Sequence, residues 1–367
     1  EHSAMGGKLR VGMIGTGMMG LEHIRNLFLM PDAELVAFSD PHEESRNWAQ
    51  FTLEHGSRKE WAGSARPFAD HREMLAKVAL DAVLIVSPNH THRAVLDDVM
   101  AAQKHILCEK PLCTTNEDAM RVATAARTYK PVFWVGMEYR YMPPVTRFIA
   151  DVHGGRIGAL KMLAIREHRF PFLKKVGDWN RFAANTGGTM VEKCCHFFDL
   201  MRHIVRAEPV RVYCSGAMDT NHRDERYDGR MPDIIDNALA VVDFANGVRA
   251  SLDLCMFAEG SHNQEEIAAT GDQAKLEVFI PDGALVFSPR APKGVVRETV
   301  AVDDAVLAAG THHGATYYQL KAFVAACLSG APAGVSADDG MRAVAMGIAA
   351  EVSAREKRAV TMTSLGL

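Results

Sequence analysis

The sequence predicts an α/β protein of two domains: a doubly wound parallel sheet, then an α/β domain whose open sheet is largely antiparallel. Three observations carry this. Short apolar runs alternate with helical patterns from residue 8 to about residue 135. Strand patterns joined by tight turns follow one another later in the chain. The length of 367 residues is too great for one ordinary core and suits two.

Leu9 to Ile14 is an apolar run with the pattern of a buried strand. Gly15, Thr16 and Gly17 follow, and then Leu21, Ile24 and Leu27 or Phe28 share one helical face until Pro31 ends the helix. Glu34 to Phe38 reads as a strand finishing at Asp40, Glu43 to His55 as a helix, and Trp61 to Pro67 as a loop. Asp70 can cap a short helix through Lys77. Val83 to Val86, Ile106 to Cys108 and Val132 to Val135 are strands, separated by helices over Thr91 to Ala102 and Asn116 to Thr128. This alternation implies a parallel sheet with helices on both faces.

The pattern then changes. Lys161 to Glu167, Val210 to Ser215, Ala238 to Phe244, Val248 to Leu254, Glu266 to Thr270, Lys275 to Phe279 and Ala284 to Phe287 read as strands. Turns such as Ala245-Asn246-Gly247 and Pro281-Asp282-Gly283 argue for antiparallel pairing. Helices over Tyr317 to Leu328 and Ala337 to Ala354 close the chain. The expected domains are 8–135 and 136–367, with the last helices free to pack back on the first domain.

Composition narrows the function classes. Apolar residues are 48% and charged residues 23%, as in soluble globular proteins, and the formal net charge of −4 gives no reason to expect a nucleic-acid or membrane partner. No apolar run approaches the roughly 20 residues that span a bilayer. Glu1 to Gly7 is short and polar without the character of a secretory signal, and is set apart from the fold. Seven cysteines without CxxC spacing fit reduced thiols in a cytoplasm better than disulfides or zinc. No metal is expected, because His196 and Asp199 at i, i+3 give too few ligands.

Gly15, Gly17 and Gly20 form G-x-G-x-x-G between a strand and a helix. The first glycine permits a tight turn, the second a close approach to a pyrophosphate, the third close helix–strand packing. Phosphate would then meet free N–H groups at Met18 and Met19, where the helix begins. Asp40 lies twenty residues after Gly20, at a strand end. A carboxylate there accepts from the adenosine ribose hydroxyls and repels a 2′-phosphate, so NAD is expected rather than NADP.

Ser87-Pro88-Asn89-His90-Thr91-His92, Cys108-Glu109-Lys110-Pro111-Leu112, and Gly187-Gly188 followed by His196 resemble the glucose–fructose oxidoreductase/inositol dehydrogenase (Gfo/Idh/MocA) family. The resemblance runs from about residue 8 to the C-terminus, and Glu-Lys-Pro is its most specific element. It implies a Rossmann domain, an open-sheet second domain, a nicotinamide cofactor, and oxidation of a sugar or inositol hydroxyl by a histidine acting with a lysine. The set expected around the dinucleotide is then Gly15, Gly17, Met18, Met19, Gly20, Asp40, Ser87, Pro88, Asn89, His92, Glu109, Lys110 and Arg140.

Lys110 follows the carboxyl end of a strand, where ligands of open α/β sheets bind. Burial beside a cationic nicotinamide should lower its proton affinity and let it hold or relay the substrate's proton. Glu192, His196 and Asp199, at i, i+4 and i+7, are expected on one face of one helix, with His196 as general base and Glu192 orienting it. The chain departs from the family where Glu192 replaces the usual aspartate, Lys193 follows it, and Cys194-Cys195 stand in place of a small residue. Cys194 is expected in packing; Cys195 flanks the face, but hydride transfer needs no nucleophile.

Lys193, Tyr141, Arg166, His168 and Trp179 are the candidate substrate contacts, with Tyr317 and His313 weaker ones. Arg166, His168, Arg169, Lys174 and Lys175 form a basic cluster that is either a solvated rim or a site for a carboxylated, sulfonated or phosphorylated sugar. Three functions fit: a dehydrogenase releasing NADH, a redox-neutral NAD-dependent glycosidase, and a non-catalytic sugar or NAD sensor. Lys110 and His196 together argue against the last. The expected partners are a small carbohydrate and further copies of the chain, as a homodimer or homotetramer.

Overall fold

The computed structural model describes residues 7–367; Glu1 to Gly6 of the polar start lie outside it. Six strands form the first sheet: β1 (Leu9–Ile14), β2 (Ala33–Ser39), β3 (Arg66–Phe68), β4 (Ala82–Ile85), β5 (His105–Glu109) and β6 (Phe133–Gly136). All pair in parallel, in the order β3-β2-β1-β4-β5-β6. Every residue of β4 and β6 is buried, as a sheet covered on both faces requires. The order reverses between β1 and β4, so the crevice for a ligand opens at their carboxyl ends.

The stretch Trp61 to Pro67, expected as a loop, is a correction. It forms the short helix Trp61–Ser64 and runs into β3. Three residues with a central Pro67 show no period of their own; they are extended because they pair with β2 at the sheet edge.

The second sheet has nine strands: β7 (Leu160–His168), β8 (Pro209–Ala217), β9 (Asn237–Phe244), β10 (Arg249–Cys255), β11 (Glu265–Gly271), β12 (Ala274–Ile280), β13 (Ala284–Pro289), β14 (Val296–Thr299) and β15 (Val360–Thr361). Their order is β14-β13-β12-β11-β7-β10-β9-β8-β15. Only β7 and β10 pair in parallel; the other neighbours are antiparallel. The two outermost strands, β14 and β15, were not legible: one is largely exposed and the other has two residues.

The nine-stranded sheet is one-sided. Ala238, Ala240, Val242 and Phe244 of β9 point inward, and Leu239 and Val241 point out. Helices Pro143–His153, Cys195–Val205 and Ala337–Glu356 supply apolar residues to the inner core. Helix Ala337–Glu356 also serves the first domain. Met341 and Val344 join the Rossmann core with Leu320, Phe323 and Val324 of helix Ala315–Ser329, and Val135 N–H donates to the Val335 carbonyl. The two sheets therefore share packing through these helices. Among the described residues no helix is long and apolar enough to cross a membrane.

Candidate active site

The glycine turn has the geometry its spacing predicts. Gly15 has φ +96°, and a Cβ there would lie 2.6 Å from the Ser87 nitrogen and the Val86 carbonyl. A Cβ on Gly20 would lie 2.5 Å from the Gly15 carbonyl oxygen. On Gly17 it would meet nothing within 4 Å. Two glycines thus close the turn and the middle one leaves an open approach. Helix Met18–Leu27 starts there without a side-chain cap, so its first N–H groups are available to an anion. Asp40 accepts from Thr16 N–H at 3.0 Å through Oδ2 and from His42 N–H at 2.9 Å through Oδ1. It braces the turn and keeps acceptor capacity for ribose hydroxyls. These residues fit a bound NAD.

Ser87 and Pro88 border the same turn, and the Thr91 hydroxyl donates to Ser87 Oγ at 2.7 Å. His92 is buried, with Nδ1 2.7 Å from the Pro111 carbonyl and Nε2 2.9 Å from the Ser87 carbonyl. It lies between the loop after β4 and the loop after β5, with each ring nitrogen turned to a carbonyl oxygen. Asn89 also departs from the expected role: its amide donates to the Glu192 carboxylate and, at 3.4 Å, to the Thr186 carbonyl, across the domain boundary.

Glu109 ends β5 and is buried against His23 of the phosphate-facing helix, Oε1 to Nε2 2.7 Å. Burial opposes both charges, but the mutual hydrogen bond raises His23 and lowers Glu109, so the pair is ionic. Lys110 N–H donates to Glu109 Oε2 at 3.2 Å, and Lys110 Nζ donates to the Glu192 carbonyl at 2.8 Å. Desolvation pulls Lys110 down, but Glu192, Cys195, Glu109 and Glu138 outweigh it and its proton affinity is raised. This acts against the weakening expected of burial beside a nicotinamide. The carboxylates of the chain itself hold Lys110 cationic.

Glu192, His196 and Asp199 do not share one helix. Helix Thr189–Glu192 stops, Lys193 and Cys194 turn, and helix Cys195–Val205 begins. Gly188, with φ +88°, starts the first piece because a Cβ there would collide with the Glu351 carboxylate, which accepts from Met190 N–H at 2.9 Å. The break separates Glu192 from His196 and Asp199, which share the second helix. Glu192 turns toward Asn89 and Lys175, and the lysines hold its carboxyl below the usual range against burial. Asp199 takes a bidentate pair from Arg140 at 2.7 and 2.6 Å.

His196 stays at the centre. Its ring stacks on Tyr139 at 3.9 Å and 8°, and its Nδ1 is buried without a partner. Burial first, then the charges of Lys110, Lys193, His312 and Arg169, push its proton affinity well below that of a free histidine. The imidazole is neutral at pH 7 and able to take a proton.

Two buried clusters surround it, and the sequence revealed neither. Lys193 Nζ lies 3.0 Å from Glu167 Oε1 and 2.5 Å from the Tyr139 hydroxyl, and Arg169 Nη1 donates to the same Glu167 oxygen at 3.2 Å. Glu265 stands beside them; burial and Glu167 push it up to about 7. On the other side, Glu22 accepts from His312 at 2.8 Å and from the Thr316 hydroxyl at 3.1 Å, and that hydroxyl also reaches Glu138 at 2.7 Å. Burial opposes the His312 charge, but Glu138 and Glu22 raise it to about 9. Glu138 and Tyr139 are the part a sequence signal could have found, since they lie two and three residues after β6 at a strand's carboxyl end.

Several expected contacts lie elsewhere. Arg140 is consumed by Asp199, the Gly334 carbonyl at 3.1 Å and Asp339 at 3.5 Å; it fastens helices rather than facing the dinucleotide. Removing one partner of that buried pair would cost about 3–5 kcal/mol. Tyr141 packs on Trp134. Arg166 and His168 pair with Asp253 on the outer sheet face, because β7 alternates and Glu167 is the residue pointing in. Lys193 is neutralised by Glu167 and is no free anion site. Tyr317 packs against the first core and on Tyr318, and it is His312, not His313, that enters the cluster. Cys195 is buried and pushed up to about 12, which leaves it inert. Trp179 does come to the mouth of the site, edge-on to His90 at 5.9 Å with the Lys175 ammonium 4.8 Å over its ring. Among the described residues no three acidic, histidine or cysteine side chains form a metal site.

A Rossmann turn fitted to a dinucleotide, with a cationic lysine and a neutral buried histidine at the strand ends, defines a dinucleotide-dependent oxidoreductase. Residues 9–137 match the NAD-binding Rossmann domain of the Gfo/Idh/MocA oxidoreductase family, and residues 150–362 match its C-terminal α/β domain. The chain belongs to this family. It is similar to the myo-inositol 2-dehydrogenase of Thermotoga maritima, 28% identical over 96% of this chain and 98% of that one. It is 26% identical to the rhizopine catabolism protein MocA of Rhizobium meliloti, over 94% of each. The crystal structure of a probable dehydrogenase from Thermotoga maritima superimposes with a TM-score of 0.78 at 26% identity, covering 97% of this chain and all of that one. A levoglucosan dehydrogenase in complex with NADH and levoglucosan gives 0.81 at 19% identity, covering 97% and 99%, and shows the shared fold.

Proposed function

We propose that the protein is an NAD-dependent dehydrogenase that oxidises a CH–OH group of a sugar, sugar acid or inositol. The observation that carries the reading is the buried His196, stacked on Tyr139 with its Nδ1 unpartnered, four residues after the Glu192 carbonyl that holds the Lys110 ammonium. Names of relatives that act on inositol or levoglucosan support the substrate class.

Bound NAD⁺ supplies the hydride acceptor. His196 takes the hydroxyl proton as the carbinol carbon gives up its hydride. Lys110, kept as an ammonium, stabilises the negative charge that develops on the hydroxyl oxygen. Glu192 positions Lys110 through its backbone carbonyl and raises the lysine's proton affinity through its charge. Tyr139 holds the His196 ring by stacking and is itself fixed by Lys193. The apolar outer face of the second sheet, with Met162, Tyr213, Leu239 and Val241 exposed, supports assembly as a homodimer or homotetramer.

The test is proton NMR of the protein with NAD⁺ and a panel of neutral and acidic sugars, inositols and glycosides, following NADH in parallel. A keto product equimolar with NADH is expected. Free sugar released from a glycoside without NADH would replace this reading by redox-neutral glycoside cleavage. Ligand binding without any turnover would make the protein a sensor.

A further inference from the structure

The basic cluster at the end of β7 divides in the structure. Arg166 and His168 answer Asp253 on the outer sheet face. Arg169 and Lys193 converge on Glu167 inside the core. Lys175 is set apart from both. It stands on the segment between β7 and the short turn Val176–Arg181, with its ammonium 3.7 Å from Glu192 Oε1. That distance is an ion pair longer than a direct hydrogen bond. Its other neighbour is the Trp179 ring, 4.8 Å away, which offers a π face and no lone pair. The ammonium therefore keeps donors for a ligand.

Its exposure has the same sense. The Lys175 side chain is 31% exposed, while that of Glu192 is 4% exposed and the Asn89 residue 6%. Of the groups around the Glu192 carboxylate, Lys110 and Lys175 are the part-exposed ones, and the Lys110 ammonium already donates to the Glu192 carbonyl. Lys110 and Lys175 both act on the single carboxylate of Glu192, and Glu109 is already paired with His23. Lys175 thus shares this carboxylate with Lys110 and sits over an aromatic ring.

We propose that Lys175 is a specificity-determining residue that binds an anionic substituent of the substrate, so that the physiological substrate is an anionic carbohydrate rather than a neutral one. The proposal takes from the functional reading above only the location of the sugar. Carboxylate, phosphate and sulfate share the chemistry an ammonium recognises. Such a group would draw Lys175 from Glu192 while Trp179 lines the ring's apolar side.

Calorimetric titration of the NADH-loaded protein with D-glucose, D-glucuronate, D-glucose 6-phosphate and D-glucose 6-sulfate tests this. At least one anionic sugar is expected to bind about tenfold tighter than glucose or better, as a charge-assisted hydrogen bond gives. K175M should bring that ratio close to one, and K175R should retain most of it. K174M, at the neighbouring exposed lysine, should leave the ratio as in the wild type. No anion preferred over glucose, a preference surviving K175M, or an equal loss in K174M from diffuse attraction would each overturn the proposal. The three anions separate the substituents. Because the readout is binding, a failure of all sugars to reduce NAD⁺ would remove the dehydrogenase reading and still leave this comparison decided.

Discussion

The turn that receives the dinucleotide and the pocket around His196 are built by opposite means. The turn is backbone. Gly15, Gly17 and Gly20 lie within six residues, and the shape follows from where a Cβ is absent. The pocket is side chains. His196, Tyr139, Lys193, Glu167, Lys110, His312 and Glu22 come from distant segments, and nearly all are buried. A backbone site needs local sequence and tolerates little change of volume. A side-chain site needs the tertiary fold, because each ionised group is tolerable only beside its partner.

The largest expected effect is in the pocket. His196→Ala or Lys110→Ala should lower kcat by about 10²–10⁴-fold while NADH still binds, measured by steady-state turnover and fluorescence titration. Near-wild-type turnover in either variant would remove that residue's role. The turn is broken differently. Gly20→Ala should destabilise the fold by about 1–3 kcal/mol in urea, because its Cβ would press on the Gly15 carbonyl. Gly17→Ala should unfold within about 0.5 kcal/mol of wild type, since its Cβ meets only open space. It should nevertheless bind NADH at least about tenfold more weakly. Equal effects of the two substitutions would refute the division of labour among the glycines.

Two smaller effects sharpen the contrast. Asp40→Ser should reduce the preference for NAD over NADP by about tenfold in kcat/KM, by removing a carboxylate that repels a 2′-phosphate. An unchanged ratio would mean that Asp40 only braces the turn. His312 tests the pocket through pH. Its folded proton affinity is raised to about 9 by Glu138 and Glu22, against an ordinary 6.5. The stabilisation is complete below pH 6.5 and is lost as pH rises to 9. Thermal unfolding should therefore show a loss of at most about 3 kcal/mol over that window, absent in His312→Gln. A variant with the same slope would place the titration elsewhere.

Much of the fold was legible because its elements are locally determined. Helix Glu43–His55 and the Asp70-capped helix His71–Lys77 have the bounds expected from periodicity and capping, and β1 is the run Leu9–Ile14 itself. The failures were elements made by pairing alone: β3, β14 and β15 are short and lie at or near sheet edges. In the site, the sequence named His196, Lys110 and the glycines. It misassigned Arg140, Arg166 and Lys193, because a cation's type shows no partner. Asp199, Asp253 and Glu167 lie 59, 87 and 26 residues from those three cations.

The sequence alone determined the parallel-then-antiparallel architecture, the dinucleotide turn with an aspartate at the end of the next strand, and the candidacy of Lys110 and His196. Each rests on spacing within a few residues or on a strand end. Only the tertiary structure decided that the Glu192–His196 segment is two helices, that Lys110 is held cationic, and that His196 is neutral. Those depend on burial and on charges brought together from across the chain, and no local pattern encodes either.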